Sequence, residues 1–266
     1  MKKIIALLCL LCLLLVAIIV YVQVKPEAEA TPAPVLKVGT EAGYPPYEFK
    51  VDIDGKEQLV GFDIAFAKYI AAELGQEVEI VDMAFDTLLL ELNQGRVDIV
   101  IAGLSPTPER AEVVELSDIY YLATQSIVTT KENAAKYSTY ESLDGCLVGA
   151  QQGTIQEAFI LEYLDSEIIT NDKIDNLILE LKTGRIDAVV IETPVAQAKL
   201  SAHPDLAIAQ AIPAEHMDAS GNVVAVKKGN VELVEKINAM IEEVTTDGTF
   251  DSWVVEANDL QAKYLG

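Results

Sequence analysis

From Val35 onward, short apolar runs alternate with longer stretches whose apolar positions recur at helical spacing, the pattern of α/β layers. LKVGT (Leu36 to Thr40) predicts a strand broken at Gly39 and Gly43. Asp63 is placed to cap a helix, IAFAKYIAAEL, that stops at Gly75. VEIVDM (Val78 to Met83) predicts a strand, Asp86 a cap for the helix TLLLELNQ ended by Gly95, and VDIVIAG (Val97 to Gly103) a buried strand. Thr107-Pro108 opens the next helix with proline at its first position. After SIVTT (Ser126 to Thr130) the program restarts. CLVGAQQGT (Cys146 to Thr154) predicts a strand ending in Gly149 and Gly153, followed by a helix from near Gln156. Asp175 or Asn176 begins the helix LILELKT, ended by Gly184; RIDAVVIE (Arg185 to Glu192) is a strand, and Thr193-Pro194 opens another helix.

The restart repeats words as well as rhythm. LELNQGRVDIVIAG and LELKTGRIDAVVIE align in register at Gly95 and Gly184, and VGTEAG is echoed by VGAQQG, Gly39 matching Gly149 and Gly43 matching Gly153. Two copies of a strand, helix and strand unit predict two similar lobes. Ligands of α/β sheets bind outside the carboxyl ends of the strands, so two facing lobes would set two loop rims around one cleft. The echoed phrases end differently, in Ala102-Gly103 and in Ile191-Glu192.

The 266 residues, 51% hydrophobic, suffice for one large domain or two of moderate size. A formal charge of −23 makes nucleic acid and anionic lipid poor partners. Ahead of the lobes, Lys2 and Lys3 precede an uncharged run from Ile4 to Val22, and about 20 apolar residues span a bilayer of roughly 30 Å. With the two lysines held inside by the positive-inside rule, the lobes are expected on the outer side of the membrane. The run is longer than a usual secretory core of about 7 to 15 residues. Cleavage after Ala28-Glu29-Ala30, lipidation at Cys9 or Cys12, and an uncleaved anchor all remain open. KPEAEATPAP (Lys25 to Pro34) reads as an extended spacer. Past it only Cys146 carries a thiol, which excludes an intrachain disulfide there, and the histidines, His203 and His216, offer no triad partner.

Candidate chemistry lies on the rims. GTEAGYPPYEF supplies Glu41 and Tyr44, with Tyr44 projecting outward ahead of Pro45 and with Tyr47 and Phe49 in the core. AGLSPTPER supplies Gly103, Ser105 and Arg110. An arginine one turn into a helix is electrostatically misplaced unless an anion lies between them, and its fork suits a carboxylate; the alternative is a local pair with Glu109 or Glu112. QQGTIQ supplies Gln151, Gly153, Thr154 and a helix start whose amides favour a carboxylate or phosphate, though it lacks the Gly-Lys-Ser/Thr of a P-loop. Glu192, an acid across from an anion site, suits a zwitterion; it equally suits a cap for the next helix.

LKVGTEAGYPPYEF, GFDIAFAKYIAAELG, FDTLLLELNQGRVDIVIAGLSPTPERAEVVELSDIYY, LDGCLVGAQQGTIQEA, GRIDAVVIETPVA and AVKKGNVELVEKINAMIEEVTTDGTFDSW together resemble the amino-acid-binding solute receptors of ABC importers, extracellular solute-binding proteins of family 3. The resemblance implies a two-lobed α/β Venus-flytrap, the type II periplasmic-binding-protein fold, closing about two hinge strands. Residues 1–24 would be a signal peptide or anchor, 25–34 a linker, 35–122 with 226–266 the first lobe, and 123–225 the second. It implies that Arg110, the backbone at Gly103 and Ser105, and the loop Gly153-Thr154-Ile155 hold an α-carboxylate. Glu192, Ser105 and the Gly103 carbonyl would hold the α-amino group, and Tyr44 and Phe62 would sandwich the side chain. The family usually has Asp at the position of Glu192. Glu41 stands at a position that in the family often faces the ligand side chain and, with the rings of Tyr44 and Phe62, favours a basic amino acid such as arginine or lysine, with a polar one such as glutamine left open. The implied partners are a free amino acid, a membrane permease and, through the N-terminal segment, the membrane; the receptor would be a monomer with no cofactor and no catalysis. Two rivals share the pattern: a cyclohexadienyl-dehydratase-like enzyme with Glu41 or Glu192 as acid or base, and a tethered amino-acid sensor.

Overall fold

Two five-stranded sheets of equivalent strand order organise the chain, described here by a computed structural model for residues 33–213 and 221–265. The first comprises β1 (Val35–Thr40), β4 (Glu77–Asp82), β5 (Ile99–Val100), β6 (Val114–Leu116) and β12 (Ala225–Lys227), in the order β4-β1-β5-β12-β6. The second comprises β7 (Gln125–Thr130), β8 (Leu147–Gln151), β9 (Glu167–Asn171), β10 (Ala188–Glu192) and β11 (Leu206–Ile212), which in reverse reads β9-β8-β10-β7-β11. In each sheet three parallel strands meet one antiparallel neighbour, β12 against β5 in one and β7 against β10 in the other. A hairpin, β2 (Phe49–Ile53) with β3 (Lys56–Val60), stands apart. All of these elements belong to one unit, Val35–Gly266.

Helices cover the sheets: α1 (Phe62–Glu73), α2 (Leu88–Asn93) and α3 (Pro108–Val113) on the first, α4 (Ile155–Tyr163), α5 (Ile174–Lys182) and α6 (Thr193–Ala202) on the second. The closing pair is α7 (Val231–Thr246) and α8 (Thr249–Tyr264). The repeated phrase makes the same contacts twice. A Cβ on Gly39 would meet Leu88, Val97 and Val100, and one on Gly149 would meet Leu177, Ile186 and Val189, the matching positions of the echo. The Lys37 N–H donates to Asp98 Oδ2 (2.8 Å), as the Leu147 N–H does to Asp187 Oδ2 (3.0 Å). Small residues in the central strands thus let a helix and the next strand press onto β1 and β8 alike.

Between the sheets the chain crosses around Tyr121 and Asn222, whose bridge is secured by Asn222 N–H donating to Tyr121 O (2.8 Å) and Tyr120 N–H to Asn222 O (3.0 Å). Helix α8 packs on α1 through Trp253 and Phe66, ring centroids 6.2 Å apart. It also reaches α6, where Gln261 Nε2 donates to Ala198 O (3.4 Å).

Three local expectations are corrected. Asp63 does not cap α1, which begins one residue earlier behind Gly61 with no side-chain cap. Asp86 lies in a single 3₁₀ turn, Phe85–Thr87, and its carboxylate is engaged elsewhere. The strand expected over Val97 to Gly103 is only Ile99–Val100: Ile101 N–H still bonds Gly39 O (3.1 Å), but Gly103 turns away at φ +55°. The N-terminal apolar run, most of the spacer and His216 lie outside the described residues. Among the described residues no helix is long and apolar enough to cross a membrane.

Candidate functional site

The loops leaving the carboxyl ends of β1, β5 and β8 converge on a small cavity. From the first sheet come Glu41, Tyr44, Gly103, Ser105 and Arg110; from the second, Gln151, Thr154 and Ile155. These positions were all read from sequence. Phe62, Gly153 and Glu192 do not line the cavity. Phe62 is fully buried, its ring 4.4 Å from that of Tyr47 and 5.7 Å from that of Phe250, so core packing uses its face.

Arg110 sits on a short helix opened, as expected, by Thr107, whose Oγ1 accepts from the Arg110 N–H (3.2 Å), and by Pro108. Its side chain folds back over the Phe85 ring, 5.4 Å from the centroid. Nη1 donates to Ser105 O (2.7 Å) and Nη2 crosses to the second lobe, donating to Gly153 O (3.0 Å). The local pairs with Glu109 or Glu112 are not formed. Burial lowers the Arg110 pKa to about 10, with Glu109 and Glu192 opposing, so the group stays charged at neutral pH.

Across from it, Thr154 caps α4: its Oγ1 accepts from the Glu157 N–H (3.3 Å) and donates to Gln151 O (2.7 Å). The Gly153 N–H, expected to face the cleft, is taken by Glu157 Oε2 (2.6 Å). The amides of Ile155 and Gln156 are what α4 offers the cavity they line. Gly153 also marks where the lobes touch. Its φ is +78°, and an added Cβ would stand 3.0 Å from Asp86 Cβ, while Gln152 Nε2 donates to Asp86 Oδ2 (3.0 Å).

The acidic side of the cavity is richer than the sequence suggested. Glu41 is 5% exposed, accepts a long bond from Gln151 Nε2 (3.4 Å), and is lifted by burial to about 7. Glu48, in the same loop, also lines the cavity; it is 1% exposed, and neither carboxylate oxygen has a hydrogen-bond partner. Burial, then Asp63 and Glu41, pushes its pKa well above the usual carboxylate range. Glu41 and Glu48 thus line the same cavity as Arg110. Sequence reading missed Glu48, Phe85, Ala102 and Gln156 as lining residues. A carboxylate between the buried Tyr47 and Phe49 was the available signal for Glu48.

Glu192 ends β10 and precedes α6 without capping it by side chain. Oε1 accepts from Asn222 Nδ2 (3.1 Å) and Gln125 Nε2 (3.4 Å), while Oε2 is buried without a partner. Burial raises it to about 7 against the bonds from its neighbours. It therefore ties the second sheet to the crossing at Asn222, and its charge acts on Tyr44, Tyr47 and Arg110 from behind the cavity wall. Among the described residues no group of His, Cys, Asp and Glu is arranged to hold a metal ion.

A two-lobed cleft that sets one guanidinium and a helix start against buried carboxylates is a design for small zwitterions. The sequence profile of bacterial extracellular solute-binding proteins, family 3, matches residues 36–264. The chain belongs to this family. Among relatives of this solute-binding protein, the arginine-binding extracellular protein ArtP of Bacillus subtilis is 35% identical over 81% of this chain and 83% of its own. A putative ABC transporter arginine-binding protein of Escherichia coli is 34% identical, covering 84% of this chain and 90% of its own. Among solved structures, an amino acid ABC transporter substrate-binding protein, AbpA, from Streptococcus pneumoniae bound to L-arginine superimposes with a TM-score of 0.82. It is 35% identical and covers 86% of this chain and 96% of its own. These relatives are binding proteins rather than enzymes, and the fold is the two-lobed one anticipated from the echoed phrases.

Proposed function

We propose that this solute-binding protein captures a basic amino acid, arginine first, between its lobes and delivers it to an ABC permease. The observation that carries the choice is Glu48: a buried carboxylate with two unpartnered oxygens in the cavity, within the field of Glu41, calls for a cation that brings its own donors. A guanidinium supplies five N–H groups in a planar fork, which suits two acids better than an ammonium does. In this reading the α-carboxylate lies against Arg110, Ser105, Thr154 and the amides that open α4. The α-amino group lies at the Gly103 carbonyl, within the field of Glu192. Tyr44 and Phe85 flank the aliphatic stem, Phe85 in the place assigned to Phe62. The names of these relatives agree with it.

The first lobe in this reading comprises 35–122 and 226–266 and the second 123–225, with 1–24 a signal or anchor and 25–34 a spacer holding a monomer off the membrane. No bond is made or broken: incubation with prephenate or arogenate is expected to return both unchanged. The deciding test is a thermal-shift screen against the standard amino acids, because a ligand that binds only the folded state raises its stability. Arginine is expected to give the largest shift, followed by lysine. A neutral amino acid giving the largest shift, with none from arginine, would overturn the assignment.

A further inference from the structure

Below the cavity, the chain holds a second buried acid that the binding scheme does not use. Asp63 is fully buried at the start of α1. Its Oδ2 accepts from the Gly103 N–H (2.9 Å) and from Tyr120 Oη (2.9 Å), but its Oδ1 has no donor. Backbone bonds lock it beside Glu48: Asp63 N–H donates to Tyr47 O (3.0 Å) and Phe62 N–H to Pro46 O (3.2 Å). So close do these segments run that a Cβ on Gly61 would stand 2.0 Å from Tyr47 O. Of the three carboxylate oxygens without a donor, one on Asp63 and two on Glu48, a single proton held between the two side chains satisfies Asp63 Oδ1 and one Glu48 oxygen and leaves the other Glu48 oxygen for the cavity.

We infer that Asp63 is a positioning residue that fixes the Gly103 peptide, and that it accepts a proton carried by Glu48 which a cationic ligand displaces to solvent. In the ligand-free chain Glu48 is the carboxylic acid and Asp63 the carboxylate, with the proton of the former bonded to Oδ1 of the latter. When a guanidinium enters, the Glu48 O–H breaks, the proton leaves to water and Glu48 becomes the counter-ion. Asp63 keeps its bonds to Gly103 and Tyr120, so the carbonyl that would meet the α-amino group does not move. The groups facing Glu48 all oppose its ionisation until then: Asp63 on α1, Glu41 in its own loop and Glu192 behind Tyr47, with the phenols of Tyr44 and Tyr120 neutral. Like charges sharing a buried site cannot both ionise cheaply, the condition under which one proton is held in common.

The inference rests on the reading that the ligand is basic, and two measurements separate them. Infrared spectra of the ligand-free full chain above the values near 7 of Glu41 and Glu192, at about pH 8.5, are expected to show a protonated-carboxyl stretch that disappears in Glu48→Gln. Its absence from the wild type overturns the shared proton whatever the ligand is. Titration calorimetry with arginine in buffers of different ionisation enthalpy is expected to show release of about one proton, with affinity weakening by up to about tenfold per pH unit on acidification. Asp63→Asn, which still accepts from Gly103 but carries no charge, is expected to bind arginine with less proton release and a shallower pH profile. Tyr120→Phe is expected to weaken binding while leaving the proton release intact. Tight arginine binding without proton release, or an Asp63→Asn profile identical to wild type, overturns the inference and leaves the ligand assignment standing. No binding of arginine or lysine, with the infrared band present, overturns that assignment and the displacement step with it.

Discussion

Arg110 carries a positive charge at the start of a helix whose dipole opposes it, and it is held there by Ser105 O, Gly153 O and the Phe85 ring. Those bonds hold the guanidinium in place while leaving its charge unneutralised. Arg110→Ala is expected to weaken arginine binding by at least about 100-fold in calorimetry, in line with losing one partner of a buried charge pair. The ligand-free melting temperature should stay near wild type, since the side chain is half-buried and outside the core. Gly153→Ala tests the meeting point of the lobes: a left-handed φ and Asp86 at 3.0 Å leave no room for a methyl group. It should weaken binding, and scattering should show a smaller ligand-induced compaction than in wild type. At this scale the sequence displayed what chain grammar displays, namely polar residues and glycines just past strand ends, as at Ser105, Gln151 and Thr154. It could not display which side of a buried layer faces a cavity. Tyr47, Glu48, Phe49 and Phe62 all lie within 2% of full burial, yet only Glu48 reaches the wall.

Elements carry the repeat. Asp98 and Asp187 bond the same backbone position in the two sheets, and Gly39 and Gly149 accept the same three neighbours, so the echo was legible because it encodes packing. The two glycines are not equally tight. A Cβ on Gly149 would stand 2.7 Å from Ile186 Cδ1 and 3.1 Å from Leu177 Cδ2, against 3.2 Å for the nearest neighbours of Gly39. Gly149→Ala should therefore cost about 1–3 kcal/mol in urea unfolding, and Gly39→Ala less, both by overpacking. Helix caps were read less well, because a short acid before an apolar run satisfies the capping pattern whether or not its side chain turns back. Asp63 and Asp86 instead bond across to Gly103 and Gln152. Thr154 does cap, and Thr154→Ala is expected to cost about 1 kcal/mol of stability in addition to affinity.

For the whole molecule, the buried acids set a pH dependence with a definite sign. Glu41 and Glu192 titrate near 7 and Asp63 near 6 when folded, each above its unfolded value. Between those values the native state binds more protons than the unfolded chain, so stability falls as pH rises through the folded values. The ligand-free protein should melt higher at about pH 5.5 than at about pH 8 by calorimetry, helped by relief of self-repulsion in a chain of formal charge −23. Saturating arginine should narrow that difference, because the cation favours the ionised acids. The two-lobed plan was legible from the repeated phrases; the grip of α8 on both halves was not, since one glutamine reaching Ala198 leaves no periodic trace. That grip has a practical consequence. Were the lobes to open about the crossing, α8 would shift against α6, so a dye on its outward face, at the exposed Val255→Cys in a chain whose native cysteines are replaced, is expected to change emission with cargo while touching no cavity residue. The last helix would then make the chain an optical meter for its own ligand.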